Sequence, residues 1–101
     1  MRDGPGVRLP KVLRATPPAY PPAAERLRRD ATVVLEALVD ENGKVLEVRL
    51  TQPDPSRLGF NEAAVAAARA TTFEPATKDG VPVRMWFPMK LTFSPREPGG
   101  R

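Results

Sequence analysis

Apolar and polar residues alternate along two runs, residues 31–39 and 45–52, that flank the tetrapeptide DENG. Alternation with a period of two is typical of strands that bury one face. The Asn42-Gly43 pair can adopt the positive φ angles of a tight turn, so the two runs are predicted to form an antiparallel hairpin. Its buried face is predicted to consist of the alternating apolar residues Val33, Leu35, Ala37, Val39, Leu46, Val48 and Leu50.

A third alternating run extends from about Val83 to Phe93 and contains a proline, Pro88. Because proline has no backbone N–H donor, its presence inside a strand favours a sheet edge or a bulge. The sequence therefore predicts an edge strand whose Pro88 nitrogen faces outward. Backbone N–H groups alternate in direction along a strand, which gives residues 84, 86 and 90 the same open side. The predicted core face holds Val83, Met85, Phe87, Met89, Leu91 and Phe93, and the opposite face holds Arg84, Trp86, Pro88, Lys90 and Thr92.

Two helices are predicted from their start and stop signals. Pro22 suits the first position of a short helix over the AAERLRR that follows it. Asn61 suits the N-cap of a second helix, with Glu62 near the positive end of the helix dipole and Arg69 near the negative end. Residues 61–70 are mostly Ala and Val, whose small side chains let a helix lie close to a sheet.

The resulting order, helix–strand–strand–helix–strand, predicts an α+β fold of two layers. Its three-stranded antiparallel sheet would carry both helices on one face and the last strand at the edge. Residues 73–83 would connect the second helix to that strand, with a turn at Asp79-Gly80. We expect one domain over residues 9–94 between flexible tails at 1–8 and 95–101, because both ends combine Gly, Pro and charge with little to bury.

Composition narrows the possible functions. The chain has no Cys and no His, so it lacks a thiolate nucleophile, zinc-knuckle ligands and the commonest general base. The Ser and carboxylate side chains form no catalytic pattern, and we predict no enzyme activity, metal or cofactor. The net charge of +4 comes without a basic stripe interleaved with aromatics, which argues against nucleic-acid binding. No run approaches the ~20 apolar residues that span a bilayer.

The predicted edge strand has two interpretations. Arg84, Pro88 and Lys90 could serve only to blunt the edge and keep the domain soluble. Alternatively, the edge is left usable for an extended peptide that adds a strand, with Trp86 as an anchor. The residues alone leave both interpretations open.

The order of several motifs resembles the C-terminal domain of TonB, the energy transducer of Gram-negative bacteria. These motifs are PPAYPP before the first helix, VDENGKV at the hairpin, FEPA and DGVPV after the second helix, and WFPMKLTF at the end. The resemblance covers about 85 residues, from Leu9 to Phe93. It implies a periplasmic domain, tethered to an inner-membrane helix by a Pro-rich spacer and driven by a motor complex of the ExbB/ExbD kind.

The resemblance also implies a partner and a site. The partner is a short extended segment of an outer-membrane receptor, the TonB box, which would pair alongside the last strand. The PPAYPP stretch would lie near the same docking site. The peptide-binding residues expected on this basis are Arg84, Met85, Trp86, Phe87, Pro88, Lys90, Tyr20 and Pro21.

Two alternative functions use the same surface. The edge strand could pair with its counterpart in a two-fold homodimer. The domain could also be a sensor or scaffold module of a multidomain envelope protein that energises no receptor.

Overall fold

The structure, a computed structural model, describes residues 6–95 of the 101-residue chain. Most of the two predicted tails, residues 1–5 and 96–101, lies outside the described residues. The elements in chain order are β1 (Val7–Arg8), β2 (Lys11–Arg14), α1 (Pro22–Glu25), β3 (Ala31–Val39), β4 (Val45–Gln52), α2 (Phe60–Arg69), β5 (Thr72–Glu74), β6 (Ala76–Lys78), β7 (Val81–Val83) and β8 (Met85–Phe93).

The central sheet is antiparallel and has the strand order β4-β3-β8. Its middle strand, β3, follows the predicted alternation, because Val33, Leu35, Ala37 and Val39 are all fully buried. The two-layer α+β fold predicted from the sequence is confirmed, including the position of the last strand at one edge of this sheet.

Both helices contribute to the core on one face of the sheet. Ala24 of α1 and Ala64 of α2 are fully buried in the same cluster as Leu91 and Phe93 of β8. The Phe60 ring of α2 packs against the Phe93 ring, with centroids 5.0 Å apart. Small alanine side chains let α2 approach the sheet closely, as the sequence predicted.

The hairpin between β3 and β4 turns at Asp40–Lys44 and is held by one carboxylate. Oδ1 of Asp40 accepts the backbone N–H groups of Asn42 and Lys44, at 2.8 and 2.9 Å. Gly43 adopts φ +84°, and its carbonyl accepts the N–H of Phe73 at 2.8 Å. A Cβ at Gly43 would lie 1.8 Å from the Phe73 carbonyl oxygen. Both the turn and its contact with β5 therefore require glycine at this position.

The predicted N-cap of α2 is wrong. The helix begins two residues earlier, and Gly59, with φ +104°, occupies the N-cap without a side-chain bond. The Asn61 side chain instead forms two hydrogen bonds with the backbone of Asp54. Its Oδ1 accepts the Asp54 N–H at 2.7 Å, and its Nδ2 donates to the Asp54 carbonyl at 2.8 Å. Asn61 thus fixes the loop that precedes the helix, because that loop offers it a backbone donor and acceptor together.

The predicted burial of β4 is also wrong in part. Val48 packs against the core, but Leu46 and Leu50 are 45% and 38% exposed. The register shifts between the Leu38–Glu47 pair and the following pair, so a bulge at Leu46 takes it out of the alternation. Leu50 keeps its predicted place opposite Leu35, but it lies on the outer strand of the sheet.

Two small sheets extend the fold beyond the prediction. The segment 73–83 forms β5, β6 and β7 around the predicted Asp79-Gly80 turn, instead of a plain connection. The N-terminal segment pairs with it, β1 with β6 and β2 with β5. Val7 and Arg8, in the segment predicted as a tail, therefore form a strand. These pairings join residues far apart in sequence, and β2 is exposed along its whole length, so no alternation indicated them.

Candidate peptide-binding edge

The side of β8 that faces away from β3, called here the β8 edge, has no partner strand among residues 6–95. On its other side β8 pairs with β3 in unbroken register from Met85–Val39 to Phe93–Ala31. Within the same range, no backbone hydrogen bond joins the edge to another segment. The backbone of this edge is therefore open over nine residues.

Pro88 determines which groups the β8 edge presents. It lies opposite Glu36 in the continuous ladder. Because Pro88 cannot donate, the ladder stays continuous only if this is a non-hydrogen-bonded pair, whose backbone groups face away from the partner strand. The backbone groups of successive residues point alternately toward and away from the partner strand, and β8 has no bulge opposite β3. Trp86, Lys90 and Thr92 therefore direct their N–H and C=O groups outward, as Pro88 directs its C=O.

The side chains of β8 divide between the two faces as predicted. On the helix face, Leu91 and Phe93 are buried, whereas Met85, Phe87 and Met89 are half-buried. The Phe87 ring meets the Phe73 ring of β5 in a T-shaped arrangement, with centroids 5.5 Å apart. The opposite face, called here the solvent face, carries Trp86, Pro88, Lys90 and Thr92, of which only Trp86 is half-buried.

Trp86 does not project freely into solvent as a displayed anchor would. The guanidinium carbon of Arg49 lies 4.3 Å from the centroid of its ring. Nη2 of Arg49 also lies 2.7 Å from Oε1 of Glu36, on the strand between them. Trp86, Arg49 and Glu36 therefore form a connected group on the solvent face, held by a cation–π contact and an ion pair.

Sequence reasoning missed Arg49 and Glu36, although one signal pointed to them. A turn centred on Asn42-Gly43 places Glu36 directly opposite Arg49, which is the observed pair. Opposite charges in such a pair are a common stabilising feature of sheets. The contact with Trp86 needed the strand order as well, and the local pattern does not contain that order.

Tyr20 and Pro21 lie at the far end of β8 from Trp86. The Tyr20 hydroxyl donates to the Arg29 carbonyl at 2.6 Å, and its ring packs edge-on against Phe60. Phe60 in turn contacts Phe93, seven residues along β8 from Trp86, or roughly 24 Å at the rise of an antiparallel strand. The structure thus does not bring Tyr20 and Pro21 together with Trp86.

A cavity of about 560 Å³ lies beside Tyr20 at this end of β8. Its lining combines the proline stretch with the end of the strand, including Pro17, Pro18, Glu25, Thr92 and Phe93. Pro21 is buried, and a Cβ on Gly59 would lie 3.1 Å from its Cβ. Tyr20 and Pro21 therefore fix the proline stretch next to the end of the β8 edge.

Arg84 precedes β8, at the other end of the edge. Its Nη2 lies 3.4 Å from Oε1 of Glu41, and both side chains are about half exposed. The neighbouring Asp40 has a pKa below its ordinary value, chiefly because it accepts the Lys44 N–H, with the Asn42 N–H and the charges of Arg84 and Lys44 in support. This end of the edge is charged and exposed.

Residues 6–95 contain neither a cluster of metal ligands nor a membrane-spanning helix. No group of three or more acidic side chains in this range lies close enough together to hold a metal ion. No helix in the range is long and apolar enough to cross a bilayer.

Comparison with known proteins assigns the chain to a family. The family model described as the Gram-negative bacterial TonB protein C-terminal matches residues 16–95. The chain belongs to the TonB C-terminal domain family. Among solved structures, the solution NMR structure of the Pseudomonas aeruginosa TonB C-terminal domain matches 87% of this chain and 86% of its own length, with a TM-score of 0.59 and 22% identity. No curated protein gives a significant sequence match.

Family membership confirms the resemblance and adds a general role. In TonB this domain is a protein-binding part of an energy transducer, and it interacts with outer-membrane receptors. It is not an enzyme, as predicted for this chain. TonB proteins are periplasmic and anchored in the inner membrane. The solved relative supports the fold alone, because its identity with this chain is low.

Proposed function

We propose that this chain is the receptor-binding module of a TonB-like energy transducer. It binds an extended segment of an outer-membrane receptor by strand addition at the β8 edge. The observation that carries the proposal is the unbroken, unpaired row of backbone groups along Met85–Phe93. In strand addition, main-chain hydrogen bonds supply affinity and alternate side chains supply specificity.

The β8 edge suits a guest strand that must bear force. Several hydrogen bonds along a strand are loaded together when the pull runs parallel to it. Pro88 removes one donor from the row, so the guest loses one hydrogen bond at the middle of the edge. A segment held by so few bonds buries less surface than the ~1,600 Å² of a standard interface, and this favours reversible binding.

The two faces of β8 define the chemistry of the guest. Next to Met85, Phe87 and Met89, alternate guest side chains would complete a half-buried apolar surface, so apolar residues are favoured there. On the solvent face, the exposed Lys90 ammonium favours an acidic or polar guest residue beside it. Arg84 adds a second cation at the start of the edge. The expected segment is therefore short, alternating and partly acidic.

The proline stretch extends the same site. Tyr20 and Pro21 hold Pro17 and Pro18 beside Thr92, where a guest strand would leave the edge. A guest longer than the strand would enter the cavity there. Tyr20 and Pro21 thus act at the end of the site, while Arg84, Met85, Trp86, Phe87, Pro88 and Lys90 act along it.

The cellular setting belongs to the same proposal. We infer a periplasmic location, an inner-membrane anchor in the parent protein and a motor complex of the ExbB/ExbD kind, on the basis of family membership. The force from that motor would reach the receptor through the guest strand on β8.

Replacing Lys90 tests the proposal, because two variants separate its backbone N–H from its side chain. Lys90→Pro removes the outward N–H, and Lys90→Ala removes only the ammonium group. Isothermal titration with synthetic TonB-box segments of outer-membrane receptors should give a dissociation constant at least about tenfold higher for Lys90→Pro, since one hydrogen bond is lost and the added ring obstructs the guest. The Lys90→Ala variant should bind within about threefold of the unaltered chain.

Equal binding by the unaltered chain and the Lys90→Pro variant would exclude the β8 edge. Circular dichroism of each variant controls for unfolding, because Lys90 is exposed on an edge strand and Pro88 already shows that this edge accepts proline. Two-fold self-pairing through the same edge is the alternative. It predicts sedimentation that depends on protein concentration, and receptor segments that bind only by dissociating the dimer.

A further inference from the structure

The solvent face contains a connected group of three side chains, one from each strand of the central sheet. Trp86 lies on β8, Glu36 on β3 and Arg49 on β4. The guanidinium of Arg49 stacks on the Trp86 ring at 4.3 Å and pairs with the Glu36 carboxylate at 2.7 Å. The general role of the edge does not account for this arrangement.

The position of Arg49 reveals where the indole lies. Strands β4 and β8 are both neighbours of β3, so their backbones are roughly 10 Å apart. Arg49 and Trp86 can meet at 4.3 Å only if both side chains lie over β3. The indole is therefore directed inward across the sheet and away from the β8 edge. Its half-buried state follows from this position.

The ion pair fixes the guanidinium that holds the indole. Glu36 lies directly opposite both Arg49 and Pro88, at the centre of the solvent face. Its side chain is 32% exposed, compared with 58% for Arg49. A planar guanidinium can stack on an aromatic ring and bond a carboxylate at the same time. Glu36 thus orients Arg49, and Arg49 orients Trp86.

We propose that Arg49 is a positioning residue that holds Trp86 over β3 and thereby keeps the β8 edge accessible to the guest strand. This inference rests on the proposed function of that edge. A tryptophan on an edge strand has several staggered rotamers, and without Arg49 the indole is free to turn toward the edge. There it would cover the outward N–H of its own residue and crowd the guest. Arg49 therefore acts on binding from a strand that the guest does not touch.

The test combines fluorescence with a double-mutant cycle on the 101-residue chain. Trp86 is the only tryptophan in the sequence, so the emission spectrum reports on this one ring. Arg49→Ala should shift the emission to longer wavelength, because the ring loses its cover. The same variant should bind the tightest synthetic receptor segment about two- to fivefold more weakly, which corresponds to the strength of an exposed cation–π contact.

The cycle shows whether Arg49 acts through Trp86. In the Trp86→Ala background, Arg49→Ala should change the dissociation constant by less than about 1.5-fold, because no indole remains to be positioned. Glu36→Gln should give a smaller effect in the same direction, and Arg49→Lys should restore part of the affinity. Arg69→Ala is the matched control, since it removes one exposed arginine from the helix side of the domain.

Each outcome decides the question. Unchanged emission of Arg49→Ala, unchanged or tighter binding by that variant, or an equal loss in the Trp86→Ala background would overturn the positioning role while leaving the proposed function intact. Failure of the unaltered chain to bind any receptor segment would instead overturn the proposed function, and this inference with it. Equal melting temperatures for Arg49→Ala and Arg69→Ala exclude a loss of fold as the cause.

Discussion

The two outer strands of the central sheet differ in their regularity. Strand β8 pairs with β3 over nine residues without a register shift. Strand β4 pairs with the same β3 over eight residues, with a shift near each end. Bulges increase local twist and interrupt the flat row of backbone groups that a guest needs. Strand β4 is therefore protected by its irregular backbone, whereas β8 is open and protected only by Pro88 and charged side chains.

The two edge strands also differ in the apolar side chains that they offer to a guest strand. On β4 the exposed apolar residues are Leu46, which lies at one bulge, and Leu50, which lies beside the other. On β8 the half-buried residues Met85, Phe87 and Met89 occupy successive positions on the helix face. A guest on β8 would therefore bury a row of three apolar side chains, while β4 offers only Val48 and Leu50 at successive positions on that face. Backbone regularity and side-chain pattern select the same edge.

The largest expected effect concerns the strand that both edges share. Leu35 of β3 is fully buried, whereas Leu46 of β4 is 45% exposed at a bulge. We expect Leu35→Ala to lower the free energy of unfolding by about 2–5 kcal/mol, because it removes buried methyl groups and leaves a cavity. Leu46→Ala, the matched change on β4, should cost less than about 1 kcal/mol. Urea denaturation measures both, and similar losses would contradict the difference in burial.

A smaller effect is expected on the solvent face of β8. Trp86→Ala should change the binding of a receptor segment by less than roughly 1 kcal/mol, because Arg49 holds the indole over β3 and away from the guest strand. The domain should remain folded, since the ring covers the solvent face and not the core. Titration calorimetry and thermal melts separate the two effects. A collapse of the melting transition would show that Trp86 belongs to the core and not to the binding surface.

The smallest effect, on the free energy of unfolding, is expected at the turn between β3 and β4. The Lys44 N–H, with help from Asn42, lowers the pKa of Asp40 in the folded state. The unfolded chain therefore binds more protons in acid, so Asp40 stabilises the fold near neutral pH, and this contribution is lost as the pH falls through the lowered pKa. The free energy of unfolding of the unaltered chain should exceed that of Asp40→Asn at pH 7.

The pH dependence of this difference is the check. It should shrink below the ordinary aspartate pKa of ~3.9, when measured by urea denaturation over a pH series. A difference that stays constant down to pH 2 would mean that the charge of Asp40 contributes nothing.

Regular local patterns predicted the main features of the fold. The period-two alternation of β3 and β8, the Asn42-Gly43 turn and Pro88 were enough to derive the central sheet and its open edge. The prediction failed where an element depends on distant partners. Strands β1, β2, β5 and β6 form from residues 7–14 and 72–78, which show no periodicity that would pair them.

The candidate site was predictable to the same extent. The outward direction of Trp86 and Lys90 followed from Pro88 and strand parity alone. The position of the indole could not be predicted in this way, because it depends on a contact with Arg49 across three strands. The bulge at Leu46 was equally hidden, since the sequence there continues an ordinary alternation. Backbone direction is a local property, whereas side-chain position depends on the assembled sheet.

Amide hydrogen exchange along β8 tests the central claim most directly. In the free domain, the N–H groups of Trp86, Lys90 and Thr92 should exchange quickly, while those of Phe87, Met89 and Leu91 should be protected by β3. A bound receptor segment should protect the first set and leave the amides of β4 unchanged. Prior protection of Trp86, Lys90 and Thr92 in the free monomer, or protection that appears on β4 instead, would contradict an open, guest-binding edge on β8.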